Sequence, residues 1–243
     1  MKISIPIVIA VLGVTPAAWA QSPSPASSTT GASAAAKTDM YHVHLAKSAL
    51  GKSAELAEVL KKQDPAAPMK GHYIVLRHQT GDAWDYCVIE HLGTKATVEA
   101  TRPNPPSSQI ALGDWHTDTF VVGPPWAEFA KQLGVDDASK TTASAYVVSV
   151  YRPAAGQYEA VEKFLGEPPD RTTDTSSGNV LLRHMEGAAW TFMTITRWNA
   201  WADYAKDTTN SIAKMAKDQE AGWFKNRNLI SFHTDTLCDR ITP

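Results

Sequence analysis

The chain has 243 residues, with 23 lysines and arginines against 25 aspartates and glutamates, which gives a formal net charge of -2. Charges this balanced, without a run of basic residues, leave no electrostatic footprint for nucleic acid or an anionic membrane surface. The sequence contains no glycine-rich phosphate loop and no Cys-x-x-Cys, His-Glu-x-x-His or Gly-x-Ser-x-Gly motif. It therefore disfavours nucleotide, zinc-hydrolase and serine-esterase chemistry.

The first element in chain order is a predicted secretory signal peptide. Lys2 supplies a positive charge, an apolar stretch follows it, and Ala18-Trp19-Ala20 forms a small-x-small cleavage site. We therefore expect residues 1–20 to be removed, residues 21–38 to form a disordered leader, and the mature protein to be periplasmic or secreted. No apolar stretch of 18 or more residues follows the leader, so the sequence predicts no membrane contact after cleavage.

The rest of the chain contains two short words that each occur twice, in the same order. The first word is Leu-Arg-His followed by a Gly and a Trp, and the second is His-Thr-Asp-Thr. Recurrence in the same order predicts two copies of one domain of about 100 residues. The first word occupies Leu76–Trp84 and Leu182–Trp190, and the second occupies His116–Thr119 and His233–Thr236.

Each copy is predicted to run strand, helix, two hairpin strands, helix and strand. Apolar residues spaced three and four apart define the first helix in both copies, at Leu56, Val59 and Leu60 and at Val161, Phe164 and Leu165. The second helix is a long amphipathic stripe from Trp201 to Met215 in one copy, whereas prolines break it after Thr94–Thr101 in the other. The predicted boundaries are 39–123 for the first repeat, 124–144 for a linker with a short helix, and 145–243 for the second repeat.

This order, β-α-β-β-α-β, is the ferredoxin-like topology of an α+β fold, and its sheet leaves one face bare. A second copy can cover that face, so we expect two repeats fused into a pseudo-dimeric α+β barrel, present as a monomer or in higher association. With its duplication and the aromatic start of the second helix (Trp198, Trp201, Tyr204), the chain resembles the dimeric α+β-barrel superfamily. That superfamily includes antibiotic-biosynthesis-monooxygenase-like, stress-responsive A/B-barrel, NIPSNAP-like and chlorite-dismutase-like domains.

The resemblance implies a protein that handles a small molecule. We expect a small apolar or aromatic ligand in the fused barrel, with no cofactor required by the sequence. One alternative is a cofactor-independent oxygenase, isomerase or decarboxylase that uses a His-Asp base. Another is a haem- or metal-binding protein, and a third is an interaction module with an exposed apolar patch.

The recurring His-Asp pairs are the candidate catalytic groups. His116 with Asp118, and His233 with Asp235, lie two residues apart on one strand face, where a carboxylate can orient an imidazole base. The structural alternative is that they tie down a strand end. Metal ligation would need a third ligand for each pair. The candidates for this third ligand are His42, His44, His72 and His91.

The hairpins supply the candidate ligand-binding groups, because tryptophan often builds rigid apolar pocket walls. Strand alternation places the hairpin histidines with the apolar residues of their strands, the arginines on the opposite face, and Trp84 on the face of Tyr86. We expect one cavity to combine these residues with the His-Asp strands, preferably in the second repeat under its long helix. The ligand-binding candidates are Trp190, Arg183, His184, Trp84, Arg77 and His78.

Cys87 and Cys238 are the two cysteines of the chain. Export would allow them to form a disulfide that joins the two repeats. The alternative is a pair of buried, unreactive thiols.

Overall fold

The computed structural model describes residues 37–93, 107–136, 143–218 and 223–242. Its strands are β1 (Asp39–Ser48), β2 (Tyr73–Thr80), β3 (Tyr86–Gly93), β4 (Gly113–Gly123), β5 (Ala145–Pro153), β6 (Gly178–Glu186), β7 (Phe192–Trp198) and β8 (Ile230–Arg240). Its helices are α1 (Ser53–Leu60), α2 (Ser107–Ile110), α3 (Trp126–Leu133), α4 (Tyr158–Gly166), α5 (Trp201–Met215) and α6 (Trp223–Leu229). No helix among the described residues is both long and apolar enough to cross a membrane.

The eight strands close into one barrel in the order β1-β3-β2-β8-β5-β7-β6-β4. Within each repeat the first strand lies between the last strand on one side and the hairpin on the other, which is the ferredoxin-like order. The repeats join through β2 with β8 and through β4 with β6. The predicted fused α+β barrel is therefore confirmed, and its closure leaves neither sheet with a bare inner face.

Strand alternation divides the apolar residues between the barrel interior and the outer face of the sheet. One face of every strand fills the interior, where fully buried residues such as Tyr41, Ile89, Tyr146 and Met193 form a single cluster. Residues of the other face meet the helices that the sequence predicts, as Val75 does under α1 and Phe192 under α4. The periodicity of these two helices is what buries them on the sheet.

The two ends of the barrel differ. All neighbouring strands are antiparallel, so β2 and β6 run the same way and both hairpin turns lie at one end, here the hairpin end. At the opposite end, α3 closes the interior with the fully buried Phe129 and Leu133. Two buried tyrosines hold it, because Tyr41 donates to the Pro124 carbonyl at 2.6 Å and Tyr146 to the Leu133 carbonyl at 2.9 Å.

The two recurring words meet each other where the repeats join. Gly81 of the first hairpin lies against Asp235 and Thr236, and Gly187 of the second hairpin lies against Asp118 and Thr119. A Cβ on Gly81 would stand 2.4 Å from the Asp235 carbonyl oxygen, and one on Gly187 would stand 2.2 Å from that of Asp118. The recurrence of the words therefore has a structural cause, since each hairpin turn packs on the last strand of the other repeat.

Three sequence-based expectations need correction or lie outside the described residues. Trp84 lies in the turn before β3 begins, so alternation does not apply to it, and it packs in the interior while Tyr86 packs under α1. Helix α5 forms as predicted, but its apolar stripe is not buried, and Ile212 is 59% exposed. The signal peptide, most of the leader, and the predicted segment Thr94–Thr101 with its prolines lie outside the described residues.

The expected disulfide is not formed, because both Cys87 and Cys238 are free thiols buried in the core. They lie on β3 and β8, which flank β2 on opposite sides. Two strand spacings amount to about 9.5 Å, whereas bridged cysteines need Cα atoms closer than about 7 Å. Burial raises the pKa of the Cys87 thiol to about 12.

Candidate functional site

A cluster of three histidines surrounds one carboxylate on the outer face of the first repeat. The carboxylate is Asp118 of β4, and the register of β1 with β4 places His44 directly opposite it and His42 opposite Phe120. Both histidines alternate with the interior residues Tyr41, Val43 and Leu45, so both point outward. Pairing of the two strands thus gathers groups that lie far apart in the chain.

Asp118 uses both of its oxygens within this cluster. Its Oδ1 lies 2.7 Å from His42 Nε2 and 2.9 Å from His44 Nδ1, and its Oδ2 lies 3.3 Å from His116 Nε2. Hydrogen bonds from His42 and His44 hold the pKa of the Asp118 carboxyl well below its ordinary range. The carboxylate is therefore ionised and accepts hydrogen bonds only, so His42 Nε2 and His44 Nδ1 are the donors in these two hydrogen bonds.

The cluster is accessible from solvent on one side. The side chain of His116 is 61% exposed and that of Asp118 is 43% exposed, whereas His42 and His44 are exposed by a quarter or less. Phe120 stacks on His42 with ring centroids 5.4 Å apart, and the ring of His116 lies 5.1 Å from that of His44. His42 and His44 thus contact the carboxylate on its buried side, and His116 lies on the side exposed to solvent.

The second repeat lacks this cluster. The equivalents of His44 and His42 are Ser149, opposite Asp235, and Val147, opposite Leu237. His233 Nε2 lies 3.7 Å from Asp235 Oδ2, and its ring stacks on Tyr151. The preference for the second repeat is therefore not supported by the geometry, because only the first repeat adds two imidazoles to the recurring pair.

The single cavity expected from both words is not formed either. The His-Asp pairs point outward, whereas Trp84 and Trp190 pack in the interior cluster. The sheet itself separates these two sets, since the pairs lie on its outer face and the tryptophans lie in the barrel interior. The recurring words thus contribute to two separate places.

The interior set lies at the hairpin end. His78 contacts Trp84 with ring centroids 5.8 Å apart, and His184 contacts Trp190 at 5.6 Å. In the described part of the chain, the buried Nε2 atoms of both histidines and the Trp190 Nε1 have no hydrogen-bond partner. Buried polar atoms of this kind call for a partner such as a ligand or water. Burial also lowers the pKa of His184.

The two arginines of the first word do not join this interior set. Arg77 points outward, and its Nε and Nη2 donate to the Asp239 carboxylate at 3.1 and 2.8 Å. This pair connects β2 to β8 at the junction between the repeats. Arg183 occupies the equivalent outward position on β6 and lies opposite Val122. The recurring arginines are therefore placed on the outer face near the two junctions.

The other two candidate metal ligands are His72 and His91, which lie at the end of the barrel that α3 closes. His91 Nε2 lies 2.8 Å from Asp39 Oδ2, and the Nδ1 atoms of the two histidines are 3.0 Å apart. Trp126 stacks on both rings, and its backbone N–H donates to Asp39 Oδ2 at 3.0 Å. This cluster ties the first turn of α3 to β1 and β3, away from Asp118.

His42 and His44 belong to the site, although the sequence indicated them only as possible third metal ligands. The signal for them was a His-x-His pair on a predicted strand, because alternation places both imidazoles on one face. The sequence named them only among four histidines that could join a His-Asp pair, and the pairing of β1 with β4 selects these two.

Comparison with known proteins identifies the fold. No family model matches the chain, and no curated protein matches it significantly. An anthrone oxidase-like protein of known structure has a TM-score of 0.53 and 12% identity, covering 86% of this chain and 93% of that one. A proposed monooxygenase from Fusobacterium nucleatum has a TM-score of 0.50 and 8% identity, covering 84% of this chain and 93% of that one. A proposed monooxygenase from Lactobacillus acidophilus has a TM-score of 0.49 and 8% identity, covering 84% and 94%.

The likenesses to the anthrone oxidase-like protein and to the protein from Fusobacterium nucleatum show that this chain shares their fold. At such low identity they establish the barrel architecture alone, because one fold carries many unrelated activities.

Proposed function

We propose that the chain is an exported small-molecule enzyme, which acts on an aromatic or similarly apolar substrate by proton transfer at the outer face of its first repeat. The observation that carries this proposal is the contact of His116 Nε2 with Asp118 Oδ2 at 3.3 Å. Because Nε2 of the ring faces Asp118, the other ring nitrogen of His116 is the one free to accept a proton from a substrate. A carboxylate that orients an imidazole in this way is the arrangement of a general base.

The surroundings of His116 suit this role. His42 and His44 hold the second oxygen of Asp118, so the carboxylate cannot rotate freely away from His116. His116 itself is largely exposed and can reach a substrate. Phe120 provides an aromatic surface beside His42 for an apolar ring.

The reaction class is proposed from the solved structures that share the fold. One is described as anthrone oxidase-like and another as a proposed monooxygenase. We propose that this chain likewise supports oxidation of an aromatic substrate by molecular oxygen. His116 removes a substrate proton, the resulting carbanion passes its electrons to dioxygen, and one oxygen atom enters the product as a carbonyl group while the other leaves as water. General-base catalysis of this kind contributes about 100-fold to 10,000-fold to a rate.

A second candidate function is binding of a small molecule inside the barrel at the hairpin end. The unpartnered Nε2 atoms of His78 and His184 favour it, because a ligand with polar groups could satisfy both. Trp84 and Trp190 would then form apolar walls.

One experiment separates these functions. Anthrone and 1-naphthol serve as probes, with binding followed by tryptophan fluorescence and turnover by oxygen uptake. His116→Ala is expected to reduce turnover at least about 100-fold, whereas the matched variant His233→Ala retains it. Equal effects of the two variants, or neither binding nor oxygen uptake with either probe, would contradict the outer-face proposal. Binding that survives His116→Ala but is lost in His184→Ala would assign the ligand to the barrel interior.

A further inference from the structure

The outer-face cluster combines two pairs of ligand-type residues on adjacent strands. His42 and His44 form a His-x-His pair on β1, and His116 and Asp118 form a His-x-Asp pair on β4. Neighbouring antiparallel strands lie about 4.8 Å apart, so outward side chains of both pairs converge. Two rigid strands thus carry the cluster, and its ligand atoms have little freedom to separate.

Three atoms of the cluster are close enough to hold one metal ion. One ring nitrogen of His42, one ring nitrogen of His44 and a carboxylate oxygen of Asp118 all lie within 4.8 Å of one another. Ligand atoms about 2.1 Å from a tetrahedral metal ion are about 3.4 Å apart. The two nitrogen-to-oxygen distances of 2.7 and 2.9 Å need to open by only about 0.7 and about 0.5 Å, which side-chain rotation provides.

We propose that His42 Nε2, His44 Nδ1 and Asp118 Oδ1 bind one divalent transition-metal ion. The protons that the two nitrogens direct at the carboxylate move to the other ring nitrogens or to solvent, so both lone pairs become available to the ion. Two imidazoles and one carboxylate suit zinc, iron(II), cobalt, nickel or copper, whereas magnesium and calcium prefer sites made of oxygen atoms. Three protein ligands leave at least one coordination position open for water or substrate. The half-exposed Asp118 carboxylate gives the ion a route from solvent.

The metal site adds to the proposed function, and only its role in catalysis rests on that function. Coordination uses Oδ1 of Asp118, so Oδ2 continues to hold His116. His116 would then remain next to the coordinated carboxylate, as the candidate to accept a proton from a group bound at the ion. Binding of the ion itself requires no statement about the reaction.

We expect one metal ion to bind per chain. The second repeat contains the His233–Asp235 pair but has Val147 and Ser149 in the places of His42 and His44. Neither of these side chains offers an imidazole, so that pair lacks the third ligand that a stable site needs. The second repeat is therefore a built-in control for the first.

The test is metal titration of the chain from residue 21 onward, without a polyhistidine tag and after treatment with a chelator. Cobalt(II) is followed by its visible absorption and zinc(II) by calorimetry. We expect one ion per chain, with His42→Ala and His44→Ala each weakening zinc binding at least about 100-fold. The matched variants His233→Ala and Asp235→Ala should leave the affinity unchanged. His44→Gln, which retains an N–H donor toward Asp118, provides a second variant in case His44→Ala does not fold.

The outcomes separate the metal site from the proposed function. No saturable binding of either ion, or equal weakening by the variants of the two repeats, would overturn the metal site. A metal site that is abolished in His44→Gln, together with turnover that survives His116→Ala, would confirm the metal site and refute the role of His116. The same absorption spectrum also reports any haem bound to the purified protein.

Discussion

Gly81→Ala should destabilise the protein by disrupting the junction between the two repeats. Gly81 has a φ of +132°, and an added Cβ would lie 2.4 Å from the Asp235 carbonyl oxygen and 2.6 Å from the Thr236 Cα. Both neighbours are backbone atoms of β8, so they cannot move without shifting that strand. The unfavourable φ costs about 1–3 kcal/mol and the overpacking adds about 1–3 kcal/mol, so we expect a loss of about 2–6 kcal/mol in the free energy of unfolding.

Gly51→Ala is the matched control. Gly51 also has a positive φ, +76°, but no atom lies within 4 Å of its added Cβ. The free energy of unfolding of Gly51→Ala should therefore fall only by the conformational contribution of about 1–2 kcal/mol. The difference between the two variants isolates the steric contribution of the junction.

Urea denaturation of both variants, followed by tryptophan fluorescence, measures these losses. The difference in the free energy of unfolding between the two variants should be about 2 kcal/mol, with little change in the urea dependence. If Gly81→Ala were no less stable than Gly51→Ala, the hairpin turn would not be packed on β8 as the structure describes. Gly187→Ala, whose Cβ would lie 2.2 Å from the Asp118 carbonyl oxygen, should repeat the result at the other junction.

Two further predictions concern buried titratable groups. Burial lowers the pKa of both His72 and His91 below the ordinary value near 6.5, so stability is fully present above that pH and declines as the pH falls below it. The urea concentration at the unfolding midpoint should decrease when the pH is lowered from 8 to 5.5, and the decrease should be smaller in His72→Gln than in the parent. A midpoint that does not change with pH would contradict the role of these buried histidines. Burial raises the pKa of both Cys87 and Cys238, so neither should react with a thiol reagent in the native protein, whereas both should react after denaturation without reductant. Failure to detect thiols in the denatured protein would show that the disulfide does form.

The order of the elements could be read from the sequence because it depends on local patterns. Leu56, Val59 and Leu60 mark α1 by their spacing, and their counterparts mark α4 in the same way, since helix periodicity acts within a few residues. The recurring words then revealed the duplication, and the bare face of a four-stranded sheet implied that the second copy would cover it. These steps use neighbouring residues and one general packing rule.

The candidate site depended on which strands pair and which face of the sheet each residue occupies. Alternation places His42 and His44 on one face, but only the pairing of β1 with β4 brings Asp118 to them, and that pairing joins segments separated by most of a repeat. Trp84 reverses its expected face because it lies in the turn before β3, where alternation has not begun. Short-range periodicity is enough to identify the repeat and its elements, but the site depends on long-range pairing. Barrel closure places the histidine cluster on the outer face and the hairpin tryptophans in the interior.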